Sequence, residues 1–136
     1  MSRRLRPGRS LKPLRYPLAW SALWCLAIAL VVVASMLPSP PGGDKLHHFL
    51  AYFLLAASAV QLFARWPALL GAGLGLVLLG IGLEHAQGAL TGTRMADRWD
   101  ALANTLGVVA GLGTRLTPLH DLLLRVEARL FPRPGG

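Results

Sequence analysis

From Leu18 to Leu37 the chain runs without a single charged side chain. That length of apolar residues is what an α-helix needs to cross a bilayer. Six basic residues precede it: Arg3, Arg4, Arg6, Arg9, Lys12 and Arg15. A secretory signal also begins with positive charge, but its apolar region is shorter. The run is therefore expected to be a retained first helix, broken by Pro38-Ser39-Pro40-Pro41-Gly42-Gly43.

Three further apolar runs follow: Leu46 to Ala64, closed by Arg65-Trp66-Pro67; Ala68 to Leu83; and Ala101 to Leu116. The 136 residues are 54% hydrophobic and 15% charged, with a mean hydropathy of +0.50. Because the apolar residues lie in long runs, a membrane protein is expected rather than a soluble core. The expected fold is an all-α integral membrane protein, a four-transmembrane-helix bundle with a C-terminal amphipathic surface helix. It divides into a basic cytoplasmic tail (1–17), a four-helix membrane domain (18–117), and an amphipathic helix and tail (118–136). That last helix starts at Pro118, with Leu119, Leu122, Leu123, Val126 and Leu130 at helical spacing and Thr117 as its cap.

Charge orients the spans. An even number puts both termini on one side. That side carries the six basic residues of the tail with Arg65, Arg115, Arg125, Arg129 and Arg133. The other carries Lys45, Arg94 and Arg98 mixed with acids. The excess of basic residues places both termini in the cytoplasm. It also accounts for the net charge of +8 without nucleic acid, for which no fold signature is present. Cys25, the single cysteine, makes an intrachain disulfide impossible and reads as a packed or lipid-facing thiol. Glycine spacing in Gly71-x-x-x-Gly75 and Gly107-x-x-x-Gly111 predicts close helix contacts.

Against this background three polar blocks stand out: Asp44-Lys45-x-x-His48-x-x-x-Tyr52, Glu84-x-x-Gln87, and Arg94-x-x-Asp97-x-x-Asp100-x-x-x-Asn104. By topology all three meet the extracytoplasmic interface. Lys45, His48 and Tyr52 share a helix face; so do Glu84 and Gln87, with Gly80 continuing their stripe; so do Asp97, Asp100, Asn104, Gly107 and Gly111. A charged residue at mid-membrane costs about 2.5–3.5 kcal/mol on insertion scales, so such residues turn inward and mark functional sites. The expected binding set is Lys45, His48, Tyr52, Glu84, Gln87, Arg94, Asp97, Asp100 and Asn104. Plainer readings stand beside it. Asp44 caps helix two, and Asp97 or Asp100 caps helix four. Lys45 snorkels, Tyr52 and Trp99 are interfacial aromatics, and Gln87 and Asn104 are interhelical hydrogen-bond partners. His47 and His85 sit off the stripes, and His120 reads as a surface residue.

These blocks resemble the VanZ-like family of small bacterial membrane proteins. The resemblance spans Asp44 to Gly111, about half the chain. It rests on Asp44, Lys45, His48, Phe49 and Tyr52, on Glu84 and Gln87, and on Arg94, Asp100 and Asn104-Thr105-Leu106-Gly107. It implies a multi-pass protein of the bacterial plasma membrane, linked to the cell envelope and to tolerance of glycopeptide or lipopeptide antibiotics. No reaction carries over with it.

Three functions fit. The first is a binding protein for an envelope lipid headgroup, a lipid-linked wall precursor or a peptide antibiotic, with Lys45 and Arg94 on phosphate. The second is an integral-membrane enzyme with His48, Glu84 and Asp100 as acid/base candidates. The third is a structural or assembly role. His48, Glu84, His85 and an aspartate are of ligand type, but no close-spaced metal motif is present, and no metal is expected. The sequence names no cofactor.

Overall fold

A computed structural model describes residues 9–37, 45–90 and 98–135. Asp44, Arg94 and Asp97 lie outside the described residues. The described chain is all-helical: α1 (Pro17–Met36), α2 (Lys45–Leu62), α3 (Trp66–Leu90), α4 (Arg98–Gly113) and α5 (Leu122–Leu130). Two short 3-10 helices, Thr114–Leu116 and Pro118–Asp121, join α4 to α5. α1 and α3 are long and apolar enough to cross a membrane; α2 and α4 are shorter, at 18 and 16 residues.

The elements begin and end where local chemistry requires. Pro17 opens α1, where a missing N–H leaves no bond unmade. α2 ends at Leu62, and Trp66-Pro67, expected to close it, instead begins α3, with Pro67 in the first turn. The Gly113 end of α4 tightens into a 3-10 turn in which the Thr114 hydroxyl donates to the Gly111 carbonyl, 2.7 Å. The helix expected from Pro118 is divided. Thr117 accepts from the Leu119 N–H at 3.2 Å and caps a 3-10 turn, and regular α-helix starts only at Leu122.

α2 and α4 pack most closely. A Cβ on Gly107 would lie 3.0 Å from the Phe53 backbone N, and one on Gly111 would lie 2.6 Å from the Phe53 carbonyl O. The two backbones touch, as the Gly107-x-x-x-Gly111 spacing predicts. Gly71-x-x-x-Gly75 behaves otherwise. Both glycines face open space, and the close-packed ones on α3 are Gly73, against Leu112, and Gly80, against Tyr52 and Asn104. The core holds Tyr52, Leu55, Ala56, Leu76 and Val108, with Trp24 of α1 donating its indole N–H to the Leu55 carbonyl at 2.9 Å. Large apolar side chains point outward on all four long helices, among them Leu30, Leu54, Leu78 and Val109.

At one end of the bundle the tail and C-terminus form a clasp. The Lys12 N–H donates to the Leu62 carbonyl (2.8 Å), and the Ala64 N–H donates to Ser10 (2.7 Å). Glu127, placed by helical spacing on a polar face, is 3% exposed. Its carboxylate accepts from the backbone N–H of Arg15, that of Tyr16 (3.1 Å) and the Trp20 indole (2.6 Å). It thus neutralises the amino end of α1 from a distant helix, where a negative charge is favoured. Reciprocally, the Arg15 guanidinium donates to the Phe131 and Pro132 carbonyls at the end of α5. Lys12, expected only as a topology signal, is buried, donating to the His120 carbonyl and pairing with Asp121 at 2.8 Å. Gln61 joins α2 to α5 by donating to the Leu119 carbonyl and accepting from the Leu123 N–H, both at 2.9 Å.

Partial burial works to raise the Asp121 pKa, but the hydrogen bond and charge of Lys12, with His120 and Arg125, outweigh it and hold it below 3.8. A carboxyl lowered on folding adds stability that is present above its ordinary value and lost as pH falls through the folded value. The clasp should therefore hold at neutral pH and loosen in acid below that range. Hydrogen exchange of the Ala64 amide should report the loosening, and Asp121→Asn should exchange faster at neutral pH and lose the acid dependence. Gly107→Leu should destabilise the bundle by about 3 kcal/mol, because backbone atoms cannot give way to a new side chain. Gly71→Leu should be tolerated; thermal unfolding in detergent distinguishes the two.

Candidate functional site

At the opposite end of the bundle the polar stripes converge. α2 supplies Lys45, His48 and Tyr52, α3 supplies Glu84 and Gln87, and α4 supplies Asp100 and Asn104. Tyr52, Glu84, Gln87, Asp100 and Asn104 are all buried. Lys45 stands at the rim with its side chain half exposed, and His48 lies between rim and interior. Seven of the nine residues expected to bind are thus together; Arg94 and Asp97 are the two outside the described residues.

The spacing explains the convergence. Residues three and four apart fall on one helix face, and the α2–α4 contact turns two such faces toward each other. Gly80 makes room on α3: a Cβ there would lie 3.1 Å from Asn104 Nδ2 and 3.3 Å from the Tyr52 ring. Tyr52 is therefore a core residue rather than an interfacial aromatic, and Trp99 is the exposed ring. Gln87 donates to the Ser35 carbonyl, joining the end of α1 to the site, a contact no motif announced. His47 and His85 are exposed, off the stripes.

His48 is held on both sides. Nδ1 lies 3.0 Å from Asn104 Oδ1, and Nε2 lies 3.7 Å from Asp100 Oδ2. A carboxamide oxygen only accepts, so Nδ1 carries the proton. The lone pair of a neutral ring then sits on Nε2, 3.7 Å from Asp100 Oδ2. Asp100 Oδ1 is buried and accepts no hydrogen bond among the described residues; the Lys45 ammonium is 3.5 Å away, a charge contact rather than a hydrogen bond. One ligand atom from each of His48, Glu84 and Asp100 falls within 4.8 Å of the others. This arrangement can bind a charged group, exchange a proton through His48, or hold a cation.

No known protein family, curated protein or solved structure matches the chain.

Asn104 sets the His48 tautomer. Nitrogen NMR of histidine-labelled protein should show neutral His48 protonated at Nδ1, and Asn104→Leu should shift it toward the Nε2–H form.

Proposed function

We propose that this chain is a VanZ-like protein of the bacterial plasma membrane. In this reading α1 to α4 all span the bilayer, both termini are cytoplasmic, and the buried polar site opens outward to bind the phosphate-bearing headgroup of an envelope lipid. The observation that carries it is the convergence of Lys45, His48, Tyr52, Glu84, Gln87, Asp100 and Asn104 from three helices at the end away from the clasp. Lys45, at the rim, meets phosphate, while Tyr52, Gln87 and Asn104 orient the headgroup.

Three further points support the reading. Apolar side chains face outward around the helices, a surface that water disfavours and lipid accepts. The clasp end carries Arg9, Lys12, Arg15, Arg65, Arg115, Arg125, Arg129 and Arg133, against Lys45 and Arg98 at the other end among the described residues. Among the residues of the VanZ-like resemblance, Lys45, His48, Tyr52, Glu84, Gln87, Asp100 and Asn104 gather at one end of the bundle. Tolerance of glycopeptide or lipopeptide antibiotics would follow from occupancy of a wall-precursor headgroup. A second reading, an integral-membrane enzyme acting on that headgroup, draws on the oriented His48–Asp100 pair.

Lys45→Ala should weaken binding of a short-chain polyprenyl phosphate about tenfold, the loss of about 1.4 kcal/mol, with the folded protein retained. Mass spectrometry of the intact protein in detergent measures it, and unchanged binding would overturn the headgroup reading. Turnover of the lipid, lost in His48→Ala, would favour the enzyme. A reporter fused after Gly136 should be active only in the cytoplasm.

A further inference from the structure

We propose that His48, Glu84 and Asp100 bind one divalent transition-metal ion, zinc or manganese. The three side chains come from three helices, and one ligand atom of each lies within 4.8 Å of the other two. Two ligands held at zinc-type distances are about 3.4 Å apart at the tetrahedral angle and about 4.4 Å apart when opposed. The 3.7 Å between His48 Nε2 and Asp100 Oδ2 fits that range, and the Glu84 ligand atom lies within 4.8 Å of the other two. An imidazole with two carboxylates suits zinc or manganese better than a soft, thiolate-seeking ion.

Three independent features favour a cation here. With Nδ1–H donating to Asn104 Oδ1, the His48 Nε2 is left as the acceptor nitrogen, 3.7 Å from Asp100 Oδ2. A metal-bound histidine characteristically has its other nitrogen held in this way. Asp100 Oδ1 is buried within the cluster without a hydrogen bond among the described residues. Glu84 and Asp100 also bring two buried carboxyl groups into one cluster with His48. A divalent ion between two carboxylates offsets their mutual repulsion.

The ion also changes what the site accepts. Two carboxylates repel a phosphate; with a divalent ion between them, the cluster attracts one. Three protein ligands leave a coordination position open to a phosphate oxygen or water. This phosphate step rests on the headgroup reading, whereas metal binding does not.

The test uses the full chain in detergent, stripped with chelator and then exposed separately to zinc, manganese or magnesium without lipid. The expected result is about one zinc or manganese per chain after desalting, with magnesium not retained. His48→Gln and Glu84→Gln should each weaken retention at least tenfold, and His85→Ala should leave it unchanged. Zinc X-ray absorption on the unsubstituted protein should show one imidazole with oxygen ligands, a readout that does not depend on the variants folding. No stoichiometric retention by the unsubstituted protein, or a site without imidazole, overturns the proposal. Metal retained without polyprenyl-phosphate binding would sink the headgroup reading and leave the metal site standing. Lipid bound without metal would do the reverse.

Discussion

The backbones of α2 and α4 are in contact, and the polar site depends on it. Only hydrogens occupy the α-carbons of Gly107 and Gly111 where α4 crosses Phe53. A methyl group at either point would push the helices apart. The displacement would carry along the first turns of α4, where Asp100 and Asn104 face His48. A glycine contact in the lower bundle thus sets hydrogen-bond distances at its polar end. Gly80 has the same role on α3, since the space it leaves is filled by Tyr52 and Asn104.

The two ends of the bundle use charge in opposite ways. At the clasp, cationic side chains are directed at backbone carbonyls. Arg115 donates to Phe63 and Ala64 and lies over the Trp66 ring, while Arg15 closes the end of α5. These contacts satisfy groups that helix ends leave open. At the other end, ionisable side chains are directed mainly at one another, with little backbone involved. The clasp stabilises the fold, whereas the polar cluster concentrates charge in a small buried volume. Such concentration is costly in an apolar protein, and that cost is what distinguishes the cluster as the candidate for binding.

Much of the site was legible because its information is periodic. Three- and four-residue steps put Lys45, His48 and Tyr52 on one face, and Asp100, Asn104, Gly107 and Gly111 on another, whatever the surroundings. A periodic signal does not say which face meets a neighbour, so Gly71 and Gly75 fit a packing motif yet face open space. Glu127 was misplaced for a different reason. Its donors, Arg15, Tyr16 and Trp20, are more than a hundred positions away and two of them are backbone groups, which leave no mark on composition. Thr117 does cap a helical turn, but that turn is 3-10 as far as Asp121, and α5 begins at Leu122.

The clasp has a consequence for the order of assembly. Lys12 is fastened to His120 and Asp121, and the amino end of α1 to Glu127, partners that emerge more than a hundred residues later in synthesis. Until then the open N–H groups of α1 and the charges of Lys12 and Arg15 have to be met by solvent. Cations that are exposed on the nascent chain become internal fastenings afterwards. Closing the clasp turns the basic tail into part of the finished structure, and a chain truncated before Glu127 would carry that tail without ever fastening the amino end of α1.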